Sequence, residues 1–162
     1  MTMGISPENT PIIYGLAPCA ASVTGDTADA ICLKNAKGVL IIAMHGGTAN
    51  NDITLSVHEG ATAAEAQAGT YALAATFPLW LNLAPIVSDE LAKTTDAATY
   101  QIDSDLGTNQ MVVFYVSSSK LTSGRSWVSL GFDAGHASNF FAVLYILDGE
   151  RYQQATPPTA IV

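Results

Sequence analysis

VLIIAMHGG, residues 39–47, is an unbroken apolar run that stops at His45-Gly46-Gly47. Two folds compete for it. In α/β hydrolases a buried strand followed by HGG aims backbone N–H groups at a developing oxyanion. In an all-β chain the same letters are a core strand that reverses at its glycines. The hydrolase also needs a nucleophile elbow, G-x-S-x-G, between a strand and a helix. The nearest stretch, Gly124-Arg125-Ser126-Trp127-Val128, lacks the second glycine and opens a strand pattern. Amphipathic helices are missing too: ATAAEAQA, residues 61–68, has helical propensity but no apolar stripe, which predicts a loop with one turn. The run is therefore a strand ending in a turn, with Gly46 and Gly47 expected to supply positive φ before Asn50-Asn51-Asp52.

The rest of the chain repeats this strand-and-turn pattern. ITLSV, residues 53–57, alternates strictly, so Ile53, Leu55 and Val57 share one face. Further strands are predicted over 31–33, 39–44, 71–76 and 79–83. Strands over 99–102 and 110–116 enclose the polar turn DSDLGTN, and strands over 126–132 and 140–147 enclose Asp133-Ala134-Gly135-His136; these four read as two hairpins. Eight to ten short strands predict one all-β domain over residues 1–162, a β-sandwich that is jelly-roll-like. Residues 1–14 and 155–162 contain proline and little charge, and are expected to be extended N- and C-terminal arms. Trp80, Trp127, Phe140, Phe141 and Tyr145 fall within strand patterns and are expected in the core.

Composition narrows the function. Of 162 residues 49% are hydrophobic and only 12% charged, so much of the surface is neutral, as in proteins that bury surface in an assembly. Lys+Arg number 6 against Asp+Glu 14, a net charge of −8, which disfavours phosphate backbones and anionic membranes. The first residues lack the basic and apolar regions of a signal peptide, and no apolar run reaches the length of a membrane span. Cys19 and Cys32 are expected as reduced thiols. Two Cys and three scattered His make no zinc pattern. His58-Glu59 starts like a zinc-protease helix, but Thr62 stands where the second His belongs, and a solvated strand end is expected. In the DSDLGTN loop the Gly falls early for a calcium loop and Phe114 stands where the bidentate Glu belongs. No catalytic, cofactor or metal residues are predicted, and the chain is not expected to be an enzyme.

The most distinctive segment is the end, ILDGERYQQATPPTAIV, residues 146–162. Together with Ser88-Asp89-Glu90-Leu91, Asp96-Ala97-Ala98-Thr99-Tyr100, the strand over 110–116 and Ala137-Ser138-Asn139, it resembles a group of small, acidic, all-β virion proteins of tailed bacteriophages, of the capsid decoration or cement type. The resemblance covers residues 38–162. It implies a structural protein on the capsid surface, assembled in the host cytoplasm. It also implies bridging of major capsid protein subunits as a homodimer or homotrimer, without cofactor, nucleic acid or membrane. The arms are then expected to carry the interface, through Ile12, Ile13, Tyr14, Arg151, Tyr152, Pro157, Pro158 and Ile161. The alternatives are a phage tail, baseplate or head-fibre receptor-binding module, and a carbohydrate-binding sandwich that stacks sugars on Trp80 or Trp127.

Overall fold

The computed structural model describes residues 10, 12–20, 26–47, 52–103, 109–133, 136 and 138–150. The strands are β1 (Ile12–Ala20), β2 (Asp26–Thr27), β3 (Ile31–Cys32), β4 (Ala36–Gly46), β5 (Ile53–Gly60), β6 (Phe77–Asn82), β7 (Ala92–Ala97), β8 (Thr99–Ile102), β9 (Asn109–Ser117), β10 (Trp127–Phe132) and β11 (Phe140–Glu150). One short helix, α1 (Ala63–Gln67), follows β5. Thr62 caps it by accepting from the Glu65 N–H, and Glu65 reaches back to the Ala61 N–H. The chain is an all-β sandwich, as its sequence pattern predicts.

Two antiparallel sheets face each other. The larger runs β1-β11-β4-β9-β6-β7 and the smaller β2-β10-β5-β8, with β3 also on β10. Val39, Ile41, Val112, Phe114, Phe141 and Val143 of the large sheet meet Ile53, Leu55, Val57, Val128, Leu130 and Phe132 of the small one, all buried. The Phe132 and Phe141 rings touch across the gap, centroids 4.6 Å apart.

Tyr145 ties the layers together. It lies fully buried on β11, and its hydroxyl accepts from the Leu130 N–H of β10 at 3.3 Å. That N–H lies where β10 changes partners: β2 pairs with Gly131 and Phe132, and β3 with Trp127 and Val128. The phenol supplies the acceptor that this gap lacks. Its ring packs on Gly15 of β1, where an added Cβ would collide with the ring.

Several expectations are corrected. Neither hairpin forms: β8 pairs with β5 while β9 pairs with β4 and β6, and β10 pairs with β5 while β11 pairs with β4 and β1. Both connections cross from one sheet to the other. A polar turn between two strands serves an arch as well as a hairpin, so the letters do not distinguish them. Residues 71–76 form no strand, only a bridge between Ala72 and His58. Pro78 lies inside β6 at a register irregularity against β7, where its missing N–H is tolerated. Gly47 has a φ of 151°, but Gly46 stays in β4, paired with Asn109 and Phe140. Ile12, Ile13 and Tyr14 open the edge strand β1 rather than lying in an arm. The remainder of the N-terminal arm except Thr10, and all of the C-terminal arm, lie outside the described residues.

Tyr145→Phe keeps the ring and deletes the only hydroxyl shown bonding the Leu130 N–H. It is expected to lower stability by about 1–3 kcal/mol. A urea melt should show a lower midpoint with an unchanged slope.

Candidate functional site

In a sheet, residues directly opposite one another on neighbouring strands point to the same face. The registers therefore define the outer face of the large sheet row by row. One row crosses all six strands: Tyr14, Leu144, Ile42, Val113, Trp80 and Lys93. Beside it run Ile12, Ile146, Leu40 and Tyr115. On the other side come Ala142, Met44, Met111 and Asn82, then Phe140, Gly46 and Asn109. The centre of this face is apolar and uncharged. Charge enters at its margins, as Lys93 on the edge strand and Asp148, whose carboxylate accepts from the Tyr115 hydroxyl at 2.6 Å. That bond, with burial added, pushes the Tyr115 phenol up to about 12.

On this face Val113, Ala142 and Asn82 are buried and Leu40, Ile42, Met44, Met111, Leu144 and Ile146 half-buried. At its β1 edge Tyr14 is 65% exposed, Phe140 60% and Ile12 52%. The small sheet is treated oppositely. Its outer face presents Thr54, Ser56, His58, Thr99, Gln101 and Ser129, with Trp127 at one end, and α1 packs against β5 and β10. An antiparallel sandwich sheet ordinarily alternates apolar-in with polar-out. The small sheet obeys that rule and the large one breaks it.

A second apolar projection is the loop between β6 and β7. Ile86 is 80% exposed and Val87 87%. The loop is well tied: the buried Asn82 donates to the Ser88 carbonyl at 2.6 Å and accepts from the Ala84 N–H at 3.0 Å.

The residues singled out for chemistry lie apart from this face. His58 and Glu59 do not form a solvated strand end, because the segment after β5 folds back over them. Glu59 is buried, and its carboxylate accepts from the Thr122 hydroxyl at 2.6 Å, the Thr122 N–H at 2.9 Å and Arg125 Nη1 at 2.7 Å. The Arg125 guanidinium also lies 3.7 Å over the Tyr71 ring. Burial pushes the Glu59 carboxyl up, but Thr122 and Arg125 outweigh it and hold it below the usual range. His58 packs on Gly131, and its Nε2 lies 2.9 Å from Ser56 Oγ. A hydrolase pair would need an acid on Nδ1, and that atom has no partner among the described residues.

His45, the residue that raised the hydrolase question, is buried on the core face opposite Gln110 and Phe141. Neither ring nitrogen has a partner among the described residues. Among those residues no three His, Cys, Asp or Glu gather to hold a metal ion. Cys19 and Cys32 are free thiols. Among the described residues no helix is long and apolar enough to cross a membrane.

Of the residues predicted at an interface, Ile12 and Tyr14 lie on the outer face, while Ile13 packs against the core. Arg151, Tyr152, Pro157, Pro158 and Ile161 lie outside the described residues. Trp80, Trp127 and Phe140, expected in the core, instead stand on outer faces. Sequence reading missed Leu40, Ile42, Met44, Met111, Val113, Leu144 and Ile146. The signal was present: VLIIAM, MVVFYV and FFAVLYIL do not alternate, and a strand apolar on both sides needs cover on both sides. The sequence matches no protein-family model and has no significant match among curated proteins.

Two predictions follow from the buried charges and rings. Removing the cation in Arg125→Met leaves a buried carboxylate short of a donor, at a cost of about 1–3 kcal/mol, read as a lower thermal midpoint. Burial holds the His45 and His58 imidazoles below their usual value of 6.5. Below that pH the unfolded chain takes up protons that the native rings refuse, so stability falls as pH drops. The slope is at most about 1.4 kcal/mol per pH unit for each ring. Thermal melts should show His45→Leu flattening this dependence; an unchanged slope would exclude His45 as a source.

Proposed function

We propose that this protein is a structural component of a tailed-bacteriophage particle, a decoration or cement protein that binds the capsid exterior and bridges major capsid protein subunits. The observation that carries the reading is the apolar outer face of the large sheet, with Tyr14, Phe140 and Ile12 exposed at its edge. Apolar side chains clustered at an exposed edge mark an interaction site. A rigid sandwich with one polar and one apolar outer face suits a module that shows one side to solvent and lays the other on a partner. The net charge of −8 suits an outward position away from packaged nucleic acid.

The sequence resemblance over residues 38–162 supplies the phage setting. The strand order supports a jelly-roll reading of the sandwich. Strands pair from the chain ends inward, β1 with β11, β2 and β3 with β10, β4 with β9 and β5 with β8. Hairpin β6–β7 is then an insertion on the β9 edge. Small contacts repeated over many sites of a shell would add up to substantial reinforcement.

Particles lacking the protein should release their DNA at a lower temperature than complete ones, and adding purified protein back should restore the difference. Equal release temperatures would exclude the cement role. Densitometry of complete particles on a stained gel separates the tail or baseplate alternative: decoration requires the protein in abundance comparable with the capsid protein, and a tail part only a few copies.

A further inference from the structure

We propose that one end of the sandwich carries a docking site for an acidic segment of another protein, with carboxylates seated in a cleft between Lys34 and Arg125. The inference goes beyond the virion reading and does not depend on it.

The first ground is where the cations lie. The chain has 6 Lys and Arg against 14 Asp and Glu, and four of the 6 are Lys34, Lys37, Lys120 and Arg125. Lys34 lies in the turn between β3 and β4, and Lys37 at the start of β4. Lys120 closes the 3-10 helix Ser118–Lys120 after β9, and Arg125 precedes β10. Backbone contacts bring these positions to one end. Gly38 pairs with Ser117, the Lys37 carbonyl accepts from the Ser118 hydroxyl at 3.0 Å, and the Leu33 N–H donates to the Ser126 carbonyl at 2.7 Å. The opposite end, about 25 Å away along β5, holds Asp52, Asp103 and Asp133 and, among the described residues, no Lys or Arg.

The second ground is what these cations lack. Among the described residues the ion pairs are Lys93–Asp96 and Arg125–Glu59. Lys34, Lys37 and Lys120 are exposed and pair with no described carboxylate. Acids near this end have other partners. Glu59 is buried against Thr122 and Arg125, Glu65 accepts from the Ala61 N–H, and Asp148 accepts from the Tyr115 hydroxyl. Glu150 closes β11 opposite Ala36.

Shape is the third ground. Lys34, Ser118, Ser119, Arg125 and Ser126 line an open cleft of about 440 Å³. Clefts that take small ligands run from about 300 to 1,000 Å³. Arg125 is already positioned: its Nη1 donates to Glu59, and its guanidinium is stacked 3.7 Å over the Tyr71 ring. A guanidinium carries several N–H donors in a rigid fork that matches a carboxylate, so the bond to Glu59 leaves others for a ligand. A long phosphate backbone would meet the net charge of −8 beyond this end. A short run of carboxylates on a folded partner needs only the few cations gathered here.

Fluorescence anisotropy of a labelled polyglutamate peptide with the full chain tests the inference. The peptide should bind at low salt and weaken as salt is raised. The double substitution Lys34→Glu, Lys120→Glu should weaken binding by about tenfold or more, whereas Lys93→Glu, on β7, should change it by less than about twofold. If the reversal variant fails to fold, Lys34→Gln, Lys120→Gln removes the same charges and gives the same readout. A wild-type chain that does not bind the peptide would overturn the inference, as would equal losses in the double variant and in Lys93→Glu. An oligonucleotide of equal charge that binds more tightly than the peptide would overturn the choice of ligand. Binding seen only after residues 151–162 are removed would mean that the chain's own tail fills the site. A wild-type oligomer that the lysine substitutions dissolve would put a second copy there. Either result would overturn the proposal.

Discussion

A single phenol joins the two layers of this sandwich at the place where the small sheet is weakest. The strand beside β10 is broken into β2 and β3, and the break leaves the Leu130 N–H without a ladder partner. Tyr145 reaches across from β11 to supply the acceptor. Its ring in turn rests on Gly15, which keeps β1 close against the layer. β1 is the strand that carries Ile12 and Tyr14. The edge of the candidate interaction face thus depends on a residue buried in the core behind it.

The two outer faces express one constraint in two ways. A β-sheet buries one face in the core, and the other must be polar or be covered. The small sheet satisfies this with Thr, Ser, His and Gln and with the segment around α1. On the large sheet the apolar side chains continue outward, half-buried along its centre and exposed at the β1 edge. Rigidity compounds the effect: the central strands β11, β4 and β9 are each paired on both sides, so the face cannot collapse inward to hide its side chains.

Polar groups inside the molecule serve the scaffold. Glu59 would be costly to bury alone, but Thr122 and Arg125 satisfy it and fasten the segment before β10 to the end of β5. His58 fills the space that Gly131 leaves open. The ring nitrogens of His45 have no partner among the described residues, and burial holds the imidazole below its usual value. Because burial holds the two imidazoles below their usual range, mild acid is expected to lower the stability of the fold.

The sequence by itself determined the class of fold, the places of most strands and, over 53–57, the face turned inward. The 99–102 strand was legible to the residue, and 53–57 and 140–147 were legible apart from their C-terminal ends. Alternation is a local property: successive side chains point to opposite sides whatever lies beyond them. The unbroken runs around Ile42, Val113 and Leu144 also held the signal of a second apolar face, though they were read only as burial. What the tertiary structure alone decided was partnership. It placed β8 and β9 in different sheets, split the strand beside β10, turned Trp80 outward and buried Glu59 against Arg125. Each of these rests on contacts between residues far apart in the chain. A strand's own residues set which way its side chains point, but the neighbour it pairs with is chosen by the fit of the whole core.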